Sequence, residues 1–304
     1  MVHTIYVPTF AFWKGDVESR LKLLEEEVLH NEKYKGKFEM GLEIGGLAKH
    51  FANQEPIDQI YGNMILVAGG VKSIVHGFAG LEVYTAGIAD MSDDVGKSLL
   101  ERYIGLGKKL NSSYVHVHGS AGFQGIKEPE NKSDRLQKIR ENLLYGLSIS
   151  DGIPIGLENL PTPSACDFDS NPETVWSDCV QQPADVQTVI QKTPLKFTFD
   201  TAHYSINRNG YIDLIAPVKK MKDHLHHLHV VDSCGYWKAN VSKCYDGSIP
   251  GDGRIGPDSF EKFFKHIHEH HPDLGICIEV RNIDEKNPEQ TRQGIRRVLN
   301  WLSQ

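Results

Sequence analysis

The sequence predicts a closed (β/α)8 barrel, in which eight parallel strands alternate with helices, as a single domain over residues 1–304. Eight short apolar segments alternate with amphipathic segments along the chain. The apolar segments are near-continuous, as is typical of strands that are covered on both faces. Strict alternation implies parallel strands with right-handed crossovers, and eight such units fit a closed barrel at a length of 304 residues.

The predicted strands are rich in Val, Ile, Phe and Leu. They cover residues 3–10, 37–44, 72–78, 113–119, 154–160, 195–200, 225–231 and 275–280. Helices are predicted over residues 16–29, 55–70, 95–110, 132–150, 184–192, 211–225, 259–271 and 288–302. In the first helix, Val17, Leu21, Leu24 and Val28 form one apolar stripe, and Asp16 is placed to cap the N-terminus. Two loops that follow strands are long, 161–183 and 232–257, and such loops are usually functional.

Composition indicates a protein of the cytoplasm. Hydrophobic residues make up 39% of the chain, charged residues 24%, and the net charge of -7 disfavours a nucleic-acid partner. The five cysteines show no CxxC spacing and the first residues show no signal-peptide pattern, so we expect reduced thiols in the cytoplasm. No segment approaches the ~20 apolar residues of a membrane span. A homo-oligomer is compatible with the sequence.

Carboxylates and imidazoles lie within these apolar segments, near the carboxyl ends of the predicted strands. In a barrel of this kind those ends meet at the face where active sites form. The residues concerned are Glu43, His76, His116, His118, Glu158, Asp200, His229 and Glu279. Buried charges are costly unless they are paired or bound to metal, and converging carboxylates repel one another unless a cation neutralises them. The sequence therefore predicts a site for a divalent ion, and such ligands accept Mn, Mg, Co, Zn or Fe.

The segments IGLENL, FTFDTAH, LHVVD and ICIEV resemble strand motifs of the xylose isomerase-like barrel superfamily, which contains sugar isomerases, epimerases and endonuclease IV. The resemblance implies that Glu158, Asp200, His229 and Glu279 bind one metal ion. In the ketose epimerases of the group the two ligand glutamates also act as acid and base, a catalytic role that falls here on Glu158 and Glu279. His203 matches a histidine that contacts substrate oxygens. The implied enzyme is a metal-dependent isomerase or epimerase acting on a sugar, ketose or related polyol.

The resemblance to endonuclease IV supports an alternative, a metal-dependent hydrolase or lyase with one ion or two. His76 and either His116 or His118 match ligands of that family, and together with Glu158 they could form a second metal site. The third metal site of that family needs a histidine in the loop after the seventh strand, and residues 245–253 contain none, so we expect neither a third metal nor phosphodiester cleavage.

The expected substrate is a small, sugar-like molecule. The candidates for binding it are His76, His118, Lys238, Arg254, Arg281 and Trp13. Either arginine could hold a carboxylate or phosphate with two hydrogen bonds, although surface salt bridges are at least as common a role for arginine. Lys238 could cover the pocket from the long loop, and Trp13 could form an apolar wall, although core packing is more frequent for such aromatic residues.

Overall fold

The computed structural model is a closed barrel of eight parallel strands with helices between them, which confirms the predicted fold. The structure describes residues 2–9, 14–47, 61–62, 65, 70–78, 90–119, 131–160, 180, 182–206, 211–234, 247–280 and 288–304. The strands follow one another around the barrel in chain order, and the eighth pairs with the first. They are β1 (Thr4–Thr9), β2 (Glu39–Leu47), β3 (Lys72–Phe78), β4 (Val115–Val117), β5 (Ile155–Glu158), β6 (Lys196–Asp200), β7 (Leu225–Val230) and β8 (Gly275–Ile278).

Eight α-helices occur in the described part of the chain. They are α1 (Lys14–Leu24), α2 (Asp94–Leu110), α3 (Lys132–Ile149), α4 (Pro183–Ile190), α5 (Thr201–Ser205), α6 (Ile215–Lys220), α7 (Pro257–His270) and α8 (Glu289–Leu302). The chain continues from α1 as a π-helical turn, Glu25–Leu29. No helix among the described residues is long and apolar enough to cross a membrane.

Two helices differ from the prediction. The helix predicted over 211–225 is shorter, because the Asp213 carboxylate accepts hydrogen bonds from the N–H groups of Ile215 and Ala216 at 2.9 and 3.2 Å and starts α6 there. The short helix α5 is absent from the prediction, and it begins at Asp200 directly after β6. The predicted helix over 55–70 lies mostly outside the described residues: of this range the structure describes 61–62 and 65, which are helical, and 70, which lies in a turn.

The apolar residues form two separate clusters. The larger one fills the space between the strands and the surrounding helices. The smaller one lies apart from it and consists of Tyr6, Ile74, Tyr114 and Cys277. On β4, Tyr114 alternates with His116 and His118, so side chains at every second position share one face of the sheet. Cys277 is fully buried, as expected for a small core residue.

Candidate metal centre

Acidic and imidazole side chains from seven strands meet at the carboxyl ends of β2–β8. His229 on β7 lies between three carboxylates that the sequence predicts as ligands. Its Nδ1 atom is 3.2 Å from Glu158 Oε1, 3.3 Å from Glu279 Oε2 and 3.7 Å from Asp200 Oδ2. The other three residues of this quartet are fully buried, whereas the Glu279 side chain stays 19% exposed. The three carboxylates thus lie around one ring nitrogen of His229, and Glu279 is the most exposed member of the quartet.

His203 joins this group through the start of α5. The Asp200 carboxylate accepts a hydrogen bond from the backbone N–H of His203 at 2.6 Å, which caps the helix and turns the chain back toward the strand ends. The Nδ1 atom of His203 lies 3.0 Å from the carbonyl oxygen of Asn159 and 3.2 Å from Glu158 Oε1. The ring is therefore buried beside the quartet and does not lie on the surface.

Glu158 faces two groups of side chains at once. Its Oε1 atom lies beside His229 and His203, and its Oε2 atom lies 3.1 Å from His76 Nε2 and 3.5 Å from His118 Nε2. The Nε2 atoms of His76 and His118 are themselves 3.0 Å apart. The Oε2 atom of Glu158 and the Nε2 atoms of His76 and His118 thus form a second group of three donor atoms. His118 and His116 are both near it, but only His118 also directs a ring nitrogen at His76 Nε2 in this way.

Glu43 on β2 is one of the predicted strand-end residues, although the prediction does not include it among the metal ligands. Its carboxylate lies 2.9 Å from His76 Nδ1 through Oε1, and Oε2 is 3.1 Å from His229 Nε2 and 3.0 Å from His227 Nε2. His227 is missing from the prediction. It precedes His229 by two residues, and the two-residue period of a strand could have placed both on one face.

The pKa values show how the charges balance. Burial would raise the pKa of Glu158, but nearby His229, His76 and His118 hold it well below its usual range. Burial would lower the pKa of His229, yet Glu158, Glu43 and Glu279 raise it well above its ordinary value. Burial likewise opposes the shift of His76, whose pKa rises to about 9 beside Glu158 and Glu43. The carboxylates and the histidines thus favour each other's charged forms.

Asp200 and His116 are shifted mainly by burial itself. Burial raises the pKa of Asp200 to about 6, against the opposing effect of His203. Burial and the charge of His76 place the pKa of His116 well below its ordinary value, so this ring is neutral. Metal ions bind the neutral form of imidazole and the ionised form of a carboxyl group.

Several buried donor atoms fit a cation. Within the described part of the chain, Glu158 Oε2, Asp200 Oδ2 and both ring nitrogens of His116 make no hydrogen bond. Buried polar atoms normally have such partners, and leaving them without one is costly. In each of four overlapping sets of residues, the donor atoms lie within 4.8 Å of one another. The sets are Glu43–His116–His227–His229, His76–His116–Glu158–His229, Glu43–His76–His229–Glu279 and Glu158–Asp200–His203. Nitrogen and oxygen donors at this spacing could hold one divalent ion or more.

The remaining predicted site residues are only partly described. Arg254 has an exposed side chain in a loop that folds around the buried Asp232 carboxylate. Asp232 accepts hydrogen bonds from the N–H groups of Gly251, Gly253 and Ile255 at 3.0 to 3.1 Å. A side chain at Gly253 would come within 2.5 Å of Asp232 Oδ1, so this close wrapping requires glycine. Trp13, Lys238 and Arg281 lie outside the described residues, as does most of 161–183.

Comparison with known proteins identifies the family. The profile of the xylose isomerase-like TIM barrel family matches residues 74–303, three quarters of the chain. The chain belongs to this family. A search of curated proteins finds no match. Among solved structures of xylose isomerase-like barrels, 3-keto-D-glucoside 4-epimerase YcjR from E. coli is 16% identical with a TM-score of 0.61, and the match covers 99% of this chain and 98% of that one.

Two further solved structures represent both branches that the resemblance suggests. Endonuclease IV from Thermus thermophilus is 16% identical over 99% of both chains, with a TM-score of 0.60. An L-ribulose 3-epimerase is 14% identical over 99% of this chain and 92% of its own, with a TM-score of 0.62. At such low identity these similarities establish the shared barrel fold only. The reaction of this xylose isomerase-like protein has to be inferred from its own side chains.

Proposed function

We propose that this protein is a divalent-metal-dependent isomerase or epimerase that acts on a sugar, ketose or related polyol. The observation that carries the proposal is the convergence of Glu158, Asp200, His229 and Glu279 around His229 Nδ1. Two of these four ligands are glutamates from different strands, the arrangement needed for one group to remove a proton and another to return it. Epimerases are among the similar solved structures.

The proposed residues have separate tasks. A bound divalent ion, one per chain and Mn, Mg, Co, Zn or Fe in kind, would polarise a substrate carbonyl. Glu279, the exposed member of the quartet, takes the proton from the carbon beside that carbonyl. Glu158 returns a proton on the other side, which it receives from the His76 imidazolium 3.1 Å from its Oε2 atom. The His203 Nδ1–H donates to the carbonyl of Asn159, which orients the ring, and Nε2 is the atom assigned to a substrate hydroxyl.

Substrate selection is assigned to residues around this centre. Arg254, Arg281, Lys238 and Trp13 remain the candidates for contacts with the sugar outside the metal ligands. The cytoplasmic location and a homo-oligomeric state also remain predictions.

Proton exchange tests this reaction directly. The Mn²⁺-loaded protein, incubated with a panel of ketoses in D₂O, is expected to introduce deuterium at the carbon next to the carbonyl, measured by mass spectrometry. Glu279→Gln should lower the exchange rate roughly 10²–10⁴-fold, the usual contribution of a general base. Glu261→Gln, on the surface of α7, is the matched control and should leave the rate unchanged. Exchange at the wild-type rate in Glu279→Gln would contradict the assignment.

A binuclear hydrolase or lyase is the second candidate, and the two-sided environment of Glu158 favours it. A carboxylate with one oxygen toward His229 and the other toward His76 and His118 is suited to bridge two ions. Two ions per chain by mass spectrometry, one of which is lost in His118→Asn, together with no deuterium exchange, would favour this reaction over the first.

A further inference from the structure

We propose an additional metal-binding site within the barrel, next to the candidate centre and formed by Glu43, His116 and His227, with the Nε2 atom of His229 as the fourth donor. We call it the interior site. Its histidines precede His118 and His229 by two residues on β4 and β7, so they lie on the same face of each strand but one step nearer its amino end. All three side chains are buried.

The spacing of the donor atoms fits a four-coordinate ion. Glu43 Oε2 is 3.0 Å from His227 Nε2, 3.1 Å from His229 Nε2 and 3.8 Å from His116 Nε2. Ligands at bond lengths of ~2.0–2.1 Å and tetrahedral angles would be about 3.3 Å apart. The observed separations scatter around that value, so an ion can enter with small shifts of the side chains.

His116 supplies the independent observation. Both of its ring nitrogens are buried, and neither makes a hydrogen bond within the described residues. The ring is fixed between Tyr114, at 5.3 Å and 11° between planes, and His76, at 4.2 Å and 24°. A buried imidazole without a hydrogen-bond partner is costly, and this one is held rigidly with Nε2 toward Glu43. A metal ion is the partner that would remove the cost.

The ligand set selects the class of ion. Imidazole nitrogens with one carboxylate oxygen favour Zn²⁺, Co²⁺ or Ni²⁺ over Mg²⁺ or Ca²⁺. On binding, the ion replaces the protons by which the Nε2 atoms of His227 and His229 otherwise donate to Glu43. Oε1 of Glu43 still accepts the hydrogen bond from His76 Nδ1, so the interior site can fill without disturbing that contact. The ion would tie β2, β4 and β7 together from inside.

Metal counting in a background without the candidate centre tests the site. The double variant Glu158→Gln/Asp200→Asn removes carboxylates on which the candidate centre depends and leaves all interior ligands in place. After dialysis against Zn²⁺, native mass spectrometry should find one ion per chain. Adding His116→Phe, which keeps the stacking, should abolish that ion. His226→Phe, the same change at the residue preceding His227, should retain it.

Each result has a definite meaning. A zinc-free double variant, or an ion that survives His116→Phe, overturns the proposal and leaves Glu43 a hydrogen-bond acceptor alone. The proposed function fails separately, if wild type and the double variant bind equal numbers of ions. If His116→Phe does not fold, the visible absorption spectrum of the double variant loaded with Co²⁺ tests the site instead. The intense absorption of four-coordinate cobalt supports the site, and the weak absorption of six-coordinate cobalt contradicts it.

Discussion

Glu43 shows how one residue can govern two candidate ligands. Its carboxylate accepts hydrogen bonds from Nδ1 of His76 and Nε2 of His229. These contacts orient the rings, so the opposite nitrogens, Nε2 of His76 and Nδ1 of His229, are the ones that face Glu158. Carboxylates in such positions commonly orient histidine ligands and strengthen their binding to metal.

Glu43→Gln should therefore weaken metal binding at the candidate centre about 10–100-fold, the usual effect of losing such a partner. The amide nitrogen of glutamine cannot accept a histidine N–H, so at least one ring loses its orientation. Isothermal titration with Mn²⁺ measures the change. Glu39→Gln makes the same replacement at a half-exposed position of β2 and should bind Mn²⁺ as wild type does. Equal affinity in the two variants would contradict the role of Glu43.

At the scale of elements, the π-helical turn after α1 is joined to α8 by ion pairs. Glu27, whose side chain is 3% exposed, accepts hydrogen bonds from Arg296 at 2.7 and 2.9 Å and also pairs with Arg292. Arg292 reaches Glu26 as well, at 2.8 Å. These contacts link the first and last helices of the chain, which are neighbours because β8 pairs with β1.

Glu27→Gln should lower the free energy of unfolding by about 1–3 kcal/mol, because it leaves two arginines without their charged partner. Glu26→Gln is the matched control. Its side chain is 39% exposed, and its pair should contribute about 0–1 kcal/mol at most. Urea denaturation at pH 7 measures both, and equal losses in the two variants would contradict the importance of burial.

The stabilisation by Glu27 should depend on pH. Burial acts to raise the pKa of this carboxyl, but the hydrogen bonds and charges of Arg296 and Arg292 hold it below its ordinary value of 4.5. A depressed pKa means that the folded state favours the ionised form. The contribution is complete above the pKa of the unfolded chain and is lost as the pH falls through the folded pKa. The stability difference between wild type and Glu27→Gln should thus shrink below about pH 4.5, and a difference that grows there would oppose this account.

For the whole molecule, metal binding should stabilise the barrel. The proposed ligands come from separate strands, and the unfolded chain does not hold them together. An ion that binds only the folded state at 100 times its Kd adds about 2.7 kcal/mol. Differential scanning fluorimetry should therefore show Tm rising by several degrees with Zn²⁺ or Mn²⁺ and falling back with EDTA. Unchanged melting across all divalent ions tested would count against any metal site here.

The barrel and most of its strand-end residues can be predicted from sequence, because both depend on local patterns. Near-continuous apolar segments indicate strands that are buried on both faces. Acidic and imidazole side chains within them are recognisable because burying such groups costs free energy unless they are paired or bind a metal. Glu158, Asp200, His229 and Glu279 are identifiable in this way. The start of α6 at Asp213 and the short helix α5 are missed, because single side-chain caps outweigh the apolar pattern there.

Pairings between distant residues depend on closure and register of the barrel. His118 directs a ring nitrogen at His76 whereas His116 stacks on the His76 ring, and Glu43 reaches His227 across 184 positions of the chain, because the stagger of parallel strands sets which side chains share a level. No local pattern carries that stagger. The local sequence therefore determines which acidic and imidazole side chains each strand carries. Only the closed barrel, in which β8 pairs with β1, determines which atoms each ring nitrogen contacts.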